Sequence, residues 1–259
     1  MSANGNANRN MECQRARTSV NAPSNKRADG REQLQPSEAV TLDAAYGQQT
    51  DRRRSVAHVR GLFSPAEQLK LLQELTDWGT QYNAKRDGPQ HVCKNGSDFE
   101  IVFGLPGESC CPAGSGIAAA PQKVLHTGRG DLDLPLEYRT SFVDCFRYPT
   151  SRGRLRPHVD MLPGWVIVVS LGCDALFWAE EPISRTNSLF AVRDAERLPR
   201  REFRLASGDA MIFDGSCAAN VLHGVEEVYP GTCPTHLPEA AQDYRFCLQY
   251  RQYFRERTA

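Results

Sequence analysis

From residue 138 onward the chain is a succession of short β-type runs separated by turns, with no helical pattern between them: YRTSFVDCFRY, GWVIVVSLG, ALFWA, SLFAV, EFRLASGDAMIFDG, NVLHGVEEVY and YRFCLQYRQYF. This succession is the strongest constraint on the fold. Successive parallel strands need a crossover of roughly a dozen or more residues, usually a helix, so these runs predict an antiparallel sandwich or barrel. What precedes them is expected to pack around that body. In SVAHVRGLFSPAEQLKLLQELTDWG, Ser64 can cap a helix, Pro65 suits its first position and Glu67 completes a capping box. Leu69, Leu72 and Leu75 then form an apolar stripe, and Gly79 reads as the stop. Residues 88–136 read as long loops, GLPGESCCPAGSG and HTGRGDLDLP among them. Residues 1–52 hold few large apolar side chains and read as a disordered tail. The expected organisation is therefore a tail over 1–52, a helix-and-loop extension over 53–137 and a β core over 138–256.

Charge and cysteine usage limit the setting. The 31 basic and 31 acidic residues cancel, so no global positive field marks a nucleic-acid binder, although a local patch can still meet phosphates. Nine cysteines with no C-x-x-C pair fit reduced thiols inside a cell better than a disulfide framework. A zinc site from His91, Cys93, Cys110 and Cys111 matches no standard finger spacing and is set aside. No apolar run approaches the roughly 20 residues of a membrane-spanning helix. A cytoplasmic or nuclear location is expected; the Arg-, Ser- and Asn-rich, acid-poor N-terminus leaves organelle targeting open.

The stretch RLRPHVDMLPGW, residues 154–165, carries the chemistry. In extended chain, residues two apart point the same way, so His158 and Asp160 can converge on one ion. His223, in VLHGV, lies in a later β-type run that can return to the same barrel mouth. Two histidines and one carboxylate form the facial triad that holds Fe(II) and leaves positions open. In the last run, Arg245, Cys247, Gln249 and Arg251 alternate with Tyr244, Phe246, Leu248 and Tyr250. Arg245 and Arg251 therefore share a face. Buried, they would need anions, and a guanidinium grips a carboxylate in bidentate fashion; on an edge strand they would simply face water.

H-x-D, a later H-G-V and a terminal R-x-x-x-x-x-R together resemble the AlkB-like family of Fe(II)- and 2-oxoglutarate-dependent dioxygenases, over about Tyr148 to Arg251. The resemblance implies a mainly β fold, the double-stranded β-helix or jelly-roll barrel, with the N-terminal helix and loops packed around it. It implies His158, Asp160 and His223 as iron ligands, with 2-oxoglutarate and O2 as co-substrates. Arg245 would hold the distal carboxylate of 2-oxoglutarate, with Arg251 near its chelating end and Tyr148 in contact. Prolyl-hydroxylase-like members of the same fold place a basic anchor about ten residues past the distal histidine, and no Lys or Arg occurs here between His223 and Arg245. Two positions depart from the pattern: Phe146 stands where the family usually has Asn, and Cys247 where many members have Asn or Ser.

The reaction implied is oxidation of a C–H bond, and on an N-methyl group the product collapses to free amine and formaldehyde. A methylated nucleobase, in RNA or DNA, or a methylated protein is the expected substrate; no membrane and no obligate partner is implied. Trp165, Trp178 and Tyr82 are candidate stacking residues, against a plain role in the core. Arg152, Arg154 and Arg156 are candidate backbone grips, against a solvated loop. No acidic residue follows soon after Asp160, which argues against a close copy of the DNA-repair members. Two other classes remain: a jelly roll that has lost turnover and serves as a binding module, favoured by Phe146 and Cys247, and a zinc hydrolase using the same three ligands, which leaves Arg245 and Arg251 unexplained.

Overall fold

The structure is a computed structural model, and it describes residues 55–84, 88–106, 114–128, 132, 138–160, 164–183, 196–216 and 218–252. The predicted tail, the SLFAV run, Cys110 and Cys111 lie outside these residues. All the described residues belong to one unit, Ala39–Ala259.

The first helix, α1 (Pro65–Asn83), begins as its local sequence dictates. Ser64 Oγ accepts from the Glu67 N–H, and the Glu67 carboxylate accepts from the Ser64 N–H at 2.8 Å. This capping box satisfies two donors that a helix start leaves open. The buried stripe is Gln68, Leu71, Leu72 and Leu75, whereas Leu69 is 46% exposed, so the expected stripe is rotated by one residue. Gly79 is not the stop either. It lies inside the helix where a Cβ would come within 2.5 Å of Val102 Cγ1, and α1 runs on to Asn83, whose Nδ2 donates to the carbonyls of Gly79 and Val102. Close packing, not termination, explains that glycine.

Among the described residues, eleven strands follow the expected β texture and extend it. They are β1 (Val56–Val59), β2 (Gln90–Lys94), β3 (Ser97–Pro106), β4 (Phe142–Pro149), β5 (Leu155–His158), β6 (Trp165–Gly172), β7 (Ala175–Glu180), β8 (Arg201–Leu205), β9 (Ala210–Asp214), β10 (Leu222–Val228) and β11 (Tyr244–Arg251). A seven-stranded sheet runs β1-β9-β6-β11-β4-β3-β2, a four-stranded sheet runs β5-β10-β7-β8, and the strand pairs are antiparallel. The two sheets make the jelly roll.

The region read as loop over 88–136 holds β2, β3 and a second helix, α2 (Gly116–Gly128). β2 and β3 form a hairpin whose turn is Asn95-Gly96, both at positive φ (53° and 83°), the conformation that favours Asn-Gly in two-residue turns. At the start of α2, the Gly116 and Ile117 N–H groups donate to Glu74 on α1 at 2.9 and 3.0 Å. α1 and α2 pack together, α1 on β3 and α2 on β1, β6 and β9. Among the described residues no helix is long and apolar enough to cross a membrane.

β11 has a double role that its alternation predicts. Leu248 and Tyr250 are fully buried on its outer face, where the Tyr250 hydroxyl donates to the Ile117 carbonyl of α2 at 2.9 Å. Arg245, Cys247, Gln249 and Arg251 turn inward, between the sheets. Each fully buried large apolar side chain stabilises by about 1.5–3 kcal/mol, so this strand anchors the fold while its other face remains polar.

Candidate active site

His158 ends β5 and is the direct cross-strand partner of His223 on β10. The register is uneven: His223 pairs with His158 and Val225 with Leu155, so two steps on β10 match three on β5. Arg156 and Pro157 form the bulge. In a regular strand, residues three apart point to opposite faces, yet here both Leu155 and His158 line the interior. Pro157, with no N–H to offer a ladder, suits that place. Beyond the strand end the chain turns so that the buried carboxylate of Asp160 joins them, and one donor atom from each of His158, Asp160 and His223 lies within 4.8 Å of the others. Among the described residues this is the one cluster of its kind.

The hydrogen bonds of the two rings fix which nitrogen faces the cluster. His158 Nδ1 is 3.1 Å from the Arg156 carbonyl, and His223 Nδ1 is 3.1 Å from the Val221 carbonyl. A carbonyl only accepts, so both Nδ1 atoms carry the proton and both Nε2 atoms keep a lone pair. Metal-ligating histidines are typically held in this way. Burial, with a contribution from the neighbouring His158 ring, lowers the His223 pKa to about 4, so its ring is neutral at physiological pH. Burial raises the Asp160 pKa, but the His158 ring, 3.5 Å from Oδ1, the His223 ring and the Arg251 guanidinium more than offset it, leaving the carboxyl below its usual value. An ionised carboxylate whose Oδ2 is buried without a hydrogen bond, beside two imidazole lone pairs, is a donor set that fits a divalent cation such as Fe(II).

A cavity of ≈ 200 Å³ is lined by His158 and His223. It is smaller than the roughly 300–1,000 Å³ of pockets for drug-sized ligands, and so suits a small co-substrate. Phe99, Phe146, Tyr148 and Leu155 supply much of its wall. Arg245 reaches into it and is 1% exposed. Its Nε donates to Ser170 Oγ at 3.1 Å, its guanidinium carbon stands 5.3 Å from the Tyr148 ring centre, and its Nη1 has no hydrogen-bond partner. A buried cation with a donor left over is costly until an anion meets it. Arg251 donates to Gln249 Oε1 at 2.9 Å and stands 3.9 Å from Asp160 Oδ1, which ties it to the donor cluster. Burial raises the pKa of the Tyr148 hydroxyl and of the Cys247 thiol, so both stay protonated.

The family model for the 2OG-Fe(II) oxygenase superfamily matches residues 116–251. The chain belongs to that superfamily. Iron(II), 2-oxoglutarate and O2 are accordingly the cofactor and co-substrates of this oxygenase. No curated protein matches it in sequence. Among solved structures, OsALKBH1 is similar with a TM-score of 0.51 at 19% identity, covering 78% of this chain and 100% of that one. The non-heme alpha-ketoglutarate-dependent epimerase SnoN from nogalamycin biosynthesis is similar with a TM-score of 0.50 at 11% identity, covering 77% of each chain. A prolyl hydroxylase of Trichoplax adhaerens, in complex with a hypoxia inducible factor peptide, gives a TM-score of 0.45 at 12% identity, covering 76% of this chain and 84% of that one. The first two likenesses are ones of fold.

Within this oxygenase the candidate stacking residues have places in or against the core. Trp178 is 6% exposed with the Arg200 guanidinium carbon 4.6 Å above its ring, while Trp165 and Tyr82 pack against the core, and none of the three lines the cavity. Arg152 pairs with Asp98 at 3.0 Å, and the same carboxylate oxygen is 2.8 Å from His91 Nε2, so that histidine is engaged in the hairpin. Arg154 and Arg156 are exposed. Phe99 and Leu155 were not expected at the site: Phe99 comes from a strand read as loop, and Leu155 enters only because of the bulge. Ser170, in VSLG, was visible, but nothing local links a serine to an arginine 75 residues away.

Proposed function

We propose that His158, Asp160 and His223 hold Fe(II), that Arg245 grips the distal carboxylate of 2-oxoglutarate, and that the enzyme oxidises an N-methyl group. The observation that carries this reading is the unpartnered, buried Nη1 of Arg245, a residue lining the same cavity as His158 and His223. With iron and 2-oxoglutarate bound, O2 is used to hydroxylate the substrate carbon while 2-oxoglutarate is converted to succinate and carbon dioxide. The chain's own groups bind, orient and exclude water. Tyr148 supplies a protonated hydroxyl and an aromatic face beside Arg245, and Arg251 keeps Asp160 oriented. The Arg156 and Val221 carbonyls hold each imidazole in the tautomer that leaves Nε2 free.

The substrate we favour is an N-methylated nucleobase, in RNA or DNA, with an N-methylated protein side chain as the second choice. Supporting it, Arg154 and Arg156, in the segment that leads to His158, and Lys94, on the β2–β3 hairpin that Arg154 bridges to, are exposed in a chain that is neutral overall, a set of cations suited to a phosphate backbone. The five described cysteines are free, and an intracellular location, cytoplasmic or nuclear, belongs to the same proposal.

Anaerobic titration with Fe(II) and then 2-oxoglutarate tests the site, through the visible charge-transfer band of chelated iron. Its appearance supports the reading, and methylated oligonucleotides and peptides can then be compared by formaldehyde release. A folded protein that gives no band favours instead a jelly roll that binds without turnover, because Phe146 and Cys247 both face the cavity.

A further inference from the structure

The turn that delivers His223 to the donor cluster is gripped from the side by a single guanidinium. Asn220 is fully buried and has φ 48°, in the left-handed region that Asn enters more readily than most residues. Its N–H donates to the Ser216 carbonyl at 3.1 Å, closing the turn after β9. Arg197 Nη1 donates to the Asn220 carbonyl at 2.9 Å and to the Glu180 carbonyl at 3.1 Å, and Nη2 donates to Asn220 Oδ1 at 2.9 Å. Glu180 is the last residue of β7 and pairs with Leu222, so this fork closes the β7–β10 ladder one step before His223 pairs with Ala179. The adjacent peptide carbonyl, that of Val221, is the one that accepts from His223 Nδ1.

We infer that Arg197 is a positioning residue for the metal centre: by clamping Asn220 it fixes the peptide that sets the tautomer and direction of the His223 ring. It touches neither metal nor substrate. The inference rests on the reading of His158, Asp160 and His223 as the ligands. Three hydrogen bonds from one planar group in two directions require the arginine fork, and a lysine ammonium at the end of a flexible stem cannot reproduce them. A merely structural role for Arg197 is a distinct alternative, because it would lower stability and leave the metal affinity of the folded protein unchanged.

The test uses the full chain, with Co(II) as the metal, followed through its visible d–d absorbance beside thermal unfolding of the metal-free protein. Arg197→Lys should weaken Co(II) binding by about 10–100-fold, as loss of an outer hydrogen-bond partner typically does, and alter the absorbance. Asn220→Gly keeps the left-handed backbone but deletes Oδ1, and should weaken binding less. Asn220→Asp keeps the acceptor and should restore the wild-type affinity and spectrum. Unchanged affinity and spectrum in Arg197→Lys overturn the inference, whatever happens to its melting temperature. Should that variant fail to fold, equal affinities for Asn220→Gly and Asn220→Asp overturn it. If the wild type takes up no Co(II), or His223→Ala binds it as well, the ligand reading falls and the clamp with it.

Discussion

His158 and His223 face each other as direct cross-strand partners, with ring centroids 4.3 Å apart and planes inclined by 49°. Because each ring gives its Nδ1 proton to a carbonyl two residues earlier in its own chain, the two Nε2 lone pairs are held together before any metal arrives. The local backbone does the pre-organising. Burial then keeps His223 neutral, so the site does not have to lose a proton there to accept a cation.

That neutrality has a cost under acid conditions. The His223 pKa is lowered from 6.5 to about 4, so between these values the unfolded chain takes up a proton that the metal-free native protein refuses. Its contribution to stability is complete above pH 6.5 and is lost as pH falls through about 4. The full span is on the order of 3 kcal/mol. Urea unfolding of metal-free protein across this range should show the loss, and His223→Leu should lack most of it. A wild-type profile as flat as that of the variant would rule out the burial argument.

Arg245→Met separates binding from folding. Removing a buried charge in favour of an apolar chain of similar length is often neutral or stabilising, whereas losing a buried partner for a carboxylate costs about 2–5 kcal/mol of binding. The variant should melt close to the wild type and bind 2-oxoglutarate roughly 30-fold or more weakly. Calorimetric titration in the presence of Mn(II) checks it, and wild-type affinity would remove Arg245 from the co-substrate site.

Phe146→Asn probes the departure from the family pattern. The ring makes an edge contact with Phe99, centroids 5.4 Å apart, on the cavity wall. Replacing it opens a gap worth up to about 3 kcal/mol of stability, while adding a polar group where co-substrate would lie. The expected result is a lower melting temperature with tighter 2-oxoglutarate binding. Weaker binding would mean that the apolar wall itself is part of the co-substrate site.

Gly79→Ala tests the packing reading of that glycine. Alanine gains about 1 kcal/mol of helix propensity, but overpacking against Val102 costs roughly 1–3 kcal/mol. Equilibrium unfolding should show a net loss of stability, relieved when Val102→Ala is added. Stabilisation by the single change would show that α1 can shift away from β3.

What could be read from the sequence was what local residues settle. Ser64, Pro65 and Glu67 cap α1 from within four consecutive residues, and the alternation in β11 correctly separates Arg245 and Arg251 from Tyr250. α2 escaped although Ser115 Oγ caps its Ala118 amide locally, because the Gly116 and Ile117 amides are capped by Glu74 of another helix and Pro121 interrupts its pattern. Asn95-Gly96 carried a strong hairpin signal but stood between glycine- and cysteine-rich stretches that read as loop. Trp178 stayed open between stacking and core packing for a different reason. ALFWA is apolar on both faces, so alternation alone cannot tell that Phe177, and not Trp178, faces the cavity. The pairing of His158 with Asp160 was legible from spacing, whereas the bulge that aims His158 inward was not, since it depends on how β10 lies beside β5.

β11 lies between β6 and β4, with helices over one face and the cavity on the other. Its amides are therefore expected to exchange with solvent hydrogen only when the whole fold opens, while the β2–β3 hairpin at the sheet edge exchanges through local fluctuations. The guanidinium of Arg245 is thus carried by the slowest-opening part of the molecule. An anion held there meets a receptor whose backbone scarcely samples other shapes, whereas whatever approaches past the hairpin meets one that does.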